Sequence, residues 1–145
     1  MDIKQIEAKD TYSIRQQILR PTAQDQTPCQ FSGDEDELTF HLGGYVDDKL
    51  VSVASFFFHT HNEFKNEYQF QLRGMATLPE YRGQGFSTSL LRTSFPLIKN
   101  KHVQKVWCNA RTSAVSFYEK VGFEKVNTEF DIEGVGPHFL MHKDV

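Results

Sequence analysis

Residues 82–87, Arg82-Gly83-Gln84-Gly85-Phe86-Ser87, have the residue types and spacing to hold an anion. A strand-like run from Tyr68 to Met75 leads in, and Leu90, Leu91, Phe95 and Ile98 follow at the spacing of one helix face. Glycines at such a junction remove Cβ atoms that would keep a ligand off the backbone. The unpaired N–H groups of the first helical turn, at the positive end of the helix dipole, attract phosphate. The bend lacks the G-K-[ST] of a P-loop, and no third glycine follows at the interval of a dinucleotide fingerprint. A plain strand-to-helix turn would also use these glycines. The arginine in front favours a phosphate-bearing cofactor.

Other side chains offer proton transfer or ligation. His138 follows Gly134-Val135-Gly136-Pro137 at the entry to the last strand. An imidazole there suits a general base, and equally a donor to a loop carbonyl. Asn109 and Arg111 share a face with Trp107 by the period of two. Arg111 there meets a cofactor, an acceptor carboxylate, or a structural ion-pair partner. Glu80, beside Tyr81-Arg82, is expected to face solvent. His59 and His61 lie two apart with no third ligand nearby, so a metal is not expected. Cys108 sits on an apolar run and reads as an inert thiol.

The elements that must position these groups follow in chain order. Ile3 and Ile6 mark a short edge strand, and Thr11 is the expected cap of a helix from Tyr12 to Leu19 that ends at Arg20-Pro21. Thr22 to Glu37 reads as a long polar loop whose acidic run, Asp34 to Glu37, is expected to be solvated, with substrate capture as the alternative. Leu38–Tyr45, Leu50–His59 and Tyr68–Thr77 read as strands joined by polar turns at Asp47-Asp48-Lys49 and Asn62–Asn66, hence an antiparallel meander. Lys105–Cys108 is a short strand at the spacing of a βαβ crossover. A helix from Thr112 to Lys120 ends at Gly122, a left-handed C-cap, with Phe123 the apolar residue beyond. Val126 and Phe130 begin a penultimate strand, and Phe139-Leu140-Met141 belongs to the last. The fold class is α+β around one mixed sheet.

The chain has 145 residues, a size at which one domain buries a core without staples. Thirteen phenylalanines supply core volume. A net charge of −3 without a basic stripe argues against nucleic acid, and slightly favours a cationic amine as substrate. Two distant cysteines, Cys29 and Cys108, read as reduced thiols. With no apolar leader and no membrane-length apolar run, a soluble, cytoplasmic protein is expected. Nothing opposes a homodimer.

Two motifs together resemble the GNAT superfamily of acetyl-CoA-dependent N-acetyltransferases. Arg82-x-x-Gly85-x-Ser87, introduced by Pro79-Glu80-Tyr81-Arg82-Gly83, is similar to that family's Q/R-x-x-G-x-G/A loop, with Ser87 where Gly or Ala is usual. Ala114, Phe117, Tyr118, Gly122 and Phe123 fall in register with its N-x-x-A-x-x-F/L-Y-x-x-x-G-F pattern, Arg111 replacing the usual asparagine. The resemblance implies a three-layer α/β/α fold whose mostly antiparallel sheet has splayed parallel fourth and fifth strands. It implies acetyl-CoA as cosubstrate, its pantetheine arm against the backbone of Met75, Ala76 and Thr77 and its pyrophosphate on the amides of Arg82, Gly83, Gln84, Gly85, Phe86 and Ser87. A backbone N–H near Thr77 is the implied polariser of the thioester carbonyl. The acceptor implied is a small-molecule or peptide amine, attacked directly in a ternary complex. Tyr118 takes the place of the family's general acid, a phenol of ordinary pKa about 10 facing a departing thiolate; by spacing alone it is a core tyrosine. A non-catalytic acyl-CoA sensor is the alternative function, and a nucleotide-binding protein a more distant one.

Overall fold

A computed structural model describes residues 1–21, 28–126 and 128–145. β1 (Asp2–Ile6), β2 (Phe40–Val46), β3 (Lys49–Phe58) and β4 (Phe70–Thr77) pair successively antiparallel, the meander that short polar turns imply. The β2–β3 turn is tight because Asp47 and Asp48 take positive φ, 46° and 66°, which short polar side chains tolerate. α1 (Ala8–Leu19) connects β1 to the loop before β2, and α2 (Phe86–Asn100) carries the crossover from β4 to the parallel β5 (Lys105–Arg111). After α3 (Val115–Lys120), β6 (Glu124–Lys125) and β7 (Phe130–Ile132) both pair with β8 (Gly136–Asp144), which lies antiparallel to β5.

Alternation along β3 assigns the layers. Val51 and Val53 face Ile14 of α1, whereas Ala54 and Phe56 face Leu90, Leu91 and Ile98 of α2 and Tyr118 of α3. The sheet therefore lies between α1 and the α2–α3 layer.

The sheet divides in the middle. β4 and β5 share only the pairs Phe70–Val106 and Gln71–Trp107, although β5 stays registered with β8 from Lys105 to Arg111. Gly74 is where β4 changes course. Ser55 opposes Arg73 and Val53 opposes Ala76, so Gly74 and Met75 stand against Ala54 alone, a β-bulge. Gly74 has φ +66°, and a Cβ there would meet the Phe31 ring at 2.8 Å and Arg15 Nε at 3.2 Å. A bulge bends its strand and increases local twist, which carries β4 away from β5.

Four sequence expectations need correction. The first helix begins at Ala8, not Tyr12, because Glu7 and Asp10 form a reciprocal capping box in which the Glu7 amide donates to Asp10 Oδ2 at 3.0 Å. Glutamate is an unusual cap, and Thr11 is buried in the first turn with Oγ1 donating to the Ala8 carbonyl at 2.7 Å. Asp34 is not solvated. It is 6% exposed and accepts from both terminal nitrogens of fully buried Arg15 at 2.8 and 2.9 Å. Arg15 also donates to the Cys29 carbonyl and Ser55 Oγ, and Asp34 accepts from the Phe31 amide, so tertiary partners offset the burial of both charges, with Arg15 Nε alone of the guanidinium nitrogens unpaired among the described residues. Glu35, Asp36 and Glu37 do stay exposed, while residues 22–27 of that loop lie outside the described residues. Residues 112–114 form a 3₁₀ turn before α3, and the penultimate strand is two short pieces, β6 and β7. Gly122 closes α3 with φ +98°, the Phe123 amide reaching the Tyr118 carbonyl and the Gly122 amide the Glu119 carbonyl, a Schellman cap.

Candidate active site

The parting of β4 and β5 opens a cleft of about 590 Å³ that Tyr118, Cys108, Asn109, Arg111, His138, Arg73 and Met75 help to line. It adjoins a second depression of about 490 Å³ over the arginine–glycine bend, and Met75, Arg82, Ser87 and Phe117 belong to both. Ala76, Thr77, Gly83, Gly85 and Phe86 line the second. The sequence-derived site residues from β4, the bend and β5, Gln84 excepted, thus gather along one continuous groove.

The bend is built to present amides. Leu78 to Tyr81 turn tightly, with the Tyr81 amide on the Leu78 carbonyl and the Arg82 amide on the Pro79 carbonyl. Gly83 and Gly85 then take φ +76° and +87°, a left-handed conformation that glycine adopts without penalty. No backbone carbonyl among the described residues accepts from the amides of residues 83–88; internal bonding resumes with the Ser89 amide on Gly85. A Cβ on Gly83 or Gly85 would meet nothing within 4 Å, so the space above the amides is open. The first turn of α2 carries no acidic side chain to oppose its dipole. Arg82 Nε donates to the Thr77 carbonyl at 3.3 Å, tethering the arginine beside this cradle. Gln84 Nε2 donates to the Glu80 carbonyl, and Glu80 is exposed as expected. The Phe86 ring is buried, filling the space above Gly44 and crossing Tyr81 edge-on, so its side chain anchors the bend and only its amide is offered.

The end of β4 offers a second set of polar groups. Because the Leu78 amide bonds the Val51 carbonyl, alternation turns the Ala76 N–H and C=O toward β3 and those of Thr77 away from it, toward the cleft. Ala76 contributes wall surface; Thr77 contributes its amide.

β5 divides its side chains between the two faces of the sheet. Cys108 and Ala110 pack in the α2–α3 layer with Tyr118, whereas Trp107, Asn109 and Arg111 alternate to the other face. Tyr118 is 9% exposed, its ring edge-on to Phe117 at 5.1 Å and Phe123 at 5.3 Å. Burial, and then the Cys108 thiol beside it, hold the phenol well above its ordinary pKa. Burial likewise pushes the Cys108 thiol far up, against a smaller opposing effect of Tyr118. Tyr118 thus packs the core and also lines the cleft. Across the sheet His138 is paired with Arg111 and 4% exposed, with Nδ1 2.7 Å from the Gly136 carbonyl. A carbonyl only accepts, so Nδ1 carries a proton.

His59 and His61 pack at 5.6 and 4.9 Å against Trp107, and His59 Nδ1 meets Gln71 Oε1 at 2.8 Å. Two cleft residues escaped the sequence reading, Arg73 and Gly74. A Arg-Gly pair late in a strand was a visible sign of a bulge, but nothing local tied it to the cleft.

A family model described as an acetyltransferase (GNAT) domain matches residues 16–145. The chain is also 38% identical over 143 residues to the N-acetyltransferase YitI of Bacillus subtilis (strain 168), covering 99% of this chain and 95% of that one. The chain belongs to the GNAT acetyltransferase family. The GNAT fold recurs in solved structures of low identity. An aminoglycoside 6'-N-acetyltransferase complexed with coenzyme A superposes with a TM-score of 0.74 at 14% identity, covering 99% of this chain and 97% of that one. The ribosomal-protein-S18-alanine N-acetyltransferase of Escherichia coli does so with 0.68 at 21% identity, over 99% and 93%. The mixed sheet with parallel β4 and β5 is the shared GNAT fold, and the protein is an acyltransferase of that family. Among the described residues no helix is long and apolar enough to cross a membrane.

Proposed function

We propose that this GNAT protein transfers the acetyl group of acetyl-CoA to a primary amine by direct attack in a ternary complex. The observation that carries the reading is the run of unengaged amides at residues 83–88, opening on a groove that leads to Tyr118 and His138. The pyrophosphate would lie on those amides beside Arg82, and the pantetheine arm would follow β4, where Thr77 offers its amide. The thioester carbonyl would then lie between β4 and β5, its oxygen polarised by backbone N–H.

The chemistry follows from the two faces. The amine nitrogen bonds to the carbonyl carbon, its proton passes to His138 Nε2, the C–S bond breaks, and the thiolate takes the Tyr118 proton. A phenol with a raised pKa is a weak acid, but the same burial raises the affinity of a thiolate for its proton, as it does for Cys108, so the two shifts act in the same direction. Cys108 itself stays a thiol at neutral pH and is poorly suited to carry an acyl group, which favours direct attack over a covalent relay.

The test is Tyr118→Phe. Acetyl-CoA affinity by calorimetry should be unchanged, and amine-dependent release of free CoA should fall by about 10²- to 10⁴-fold, the usual worth of a positioned acid. Tight CoA binding with no release across a broad amine panel would instead leave a sensor.

A further inference from the structure

The cleft is electrically one-sided. Arg73, Arg82, Arg111 and His138 line it, and among the described residues no Asp or Glu does. Arg82 belongs to the cradle, but Arg73 and Arg111 stand at the other end, beside Gly74, Asn109 and Tyr118. The ion pairs among the described residues are Lys9–Glu7, Arg15–Asp34 and Lys105–Asp144, so neither arginine has a carboxylate of those residues within 4.0 Å. Glu129, near Arg111 in the fold, accepts instead from Thr112 Oγ1 at 2.9 Å.

Arg73 is held in place without being neutralised. Its guanidinium lies 4.5 Å from the Phe31 ring centre and 5.4 Å from that of Phe57, and Arg15 lies over the same Phe31 ring at 4.1 Å. Two guanidiniums thus share one ring and one nearby carboxylate, and both Asp34 oxygens go to Arg15. Burial, and then the Arg15 cation, lower the Arg73 pKa, with Asp34 opposing only in part. Arg111 is opposite His138 on β8, so its side chain shares the base's face at the distance of directly paired residues, about 5 Å between Cβ atoms. Asn109 precedes it on that face. Two guanidiniums on the face that carries His138, with no carboxylate among the described residues lining the cleft, repel a polycation and suit an oxyanion.

Resting on the acetyl-transfer reading above, we infer that the acceptor is a small amine that also carries an oxyanion, a carboxylate or a phosphate, bound by Arg73 and Arg111 while its amino group meets His138. The acidic net charge that slightly favours a cationic substrate belongs to the surface and not to this cleft. Asp36 and Glu37 line a neighbouring groove that Arg73 also borders, and among the described residues no carboxylate lines the acetyl-transfer cleft.

The experiment compares three acceptors at fixed acetyl-CoA: an α-amino acid, the same compound as its amide, and an aminoalkyl phosphate, with a diamine as the cationic control. At least one oxyanion-bearing amine is expected to exceed the amide and the diamine in kcat/KM by about tenfold or more, and which one identifies the anion. Arg73→Gln and Arg111→Gln should each lower kcat/KM for that acceptor by about 10- to 100-fold, the worth of a charge-assisted hydrogen bond, and leave the amide within about threefold. Equal or better use of the amide or the diamine overturns the inference, as do variants that retain full activity with the oxyanion acceptor. If no amine is turned over, calorimetry on CoA-loaded protein decides: the N-acetyl amino acid or N-acetyl aminoalkyl phosphate must bind more tightly than the N-acetyl amide, and equal or absent binding overturns it. Failure to bind acetyl-CoA at all would strike the acetyl-transfer reading itself, which separates the two failures.

Discussion

Gly74→Ala tests the device that opens the cleft. Gly74 has φ +66°, and the added methyl would sit 2.8 Å from Phe31 Cε2 and 3.2 Å from Arg15 Nε. The left-handed conformation costs a non-glycine residue about 1 kcal/mol. Overpacking against a ring held by two arginines costs about 2 kcal/mol more, since Phe31 has little freedom to withdraw. The expected loss is about 3 kcal/mol, a large part of the roughly 5–15 kcal/mol that stabilises a domain. Gly83→Ala is the matched control: φ is +76° but no atom lies within 4 Å, so only the conformational cost of about 1 kcal/mol applies. Urea unfolding of the three proteins, read at unchanged m-value, measures both costs. Relaxation of the bulge would let β4 pair with β5 beyond Gln71, so any folded Gly74→Ala protein should bind CoA at least about tenfold more weakly, about 1.4 kcal/mol. A Gly74→Ala protein with the parent's midpoint and CoA affinity would refute the link between the bulge and the cleft.

Asp34→Asn should destabilise the protein by about 3–5 kcal/mol by stranding buried Arg15, as seen in chemical denaturation. Burial alone would raise the Asp34 carboxyl, but the Arg15 and Phe31 hydrogen bonds and the nearby cations prevail and lower it, so its contribution is complete above the ordinary carboxylate pKa and vanishes as pH falls through the lowered folded value. The gap between parent and Asp34→Asn should therefore narrow in acid; a gap that widens there refutes the pairing. Arg82→Ala should weaken CoA binding by about tenfold and make the remaining affinity less sensitive to salt, which a titration at two ionic strengths reads. Glu7→Ala, which breaks the reciprocal cap of α1, should cost about 1 kcal/mol without altering CoA affinity.

The meander, the crossover helix and the Schellman cap were legible because each is written locally. Polar turns between apolar runs, a 3.6-residue period, and a Gly122-Phe123 pair after a helix need no partner to be recognised. The bend was legible for the same reason, since left-handed glycines and a helix N-terminus make a cradle within a few residues. The start of α1 was missed because its cap is an atypical glutamate, and propensity favours Thr11.

The amino-acid sequence by itself determined most of the order of elements and the left-handed glycine bend before α2, because each follows from interactions over short chain distances. Tertiary structure alone decided where the sheet parts, that Asp34 is buried against Arg15, and that Arg73 and Arg111 line one cavity. These depend on side chains brought together from far along the chain, such as Arg15 with Asp34 and Ser55, or Gly74 with Phe31. Charge and steric terms act through space, and their sign is set only once the fold has fixed which neighbours lie within a few ångströms.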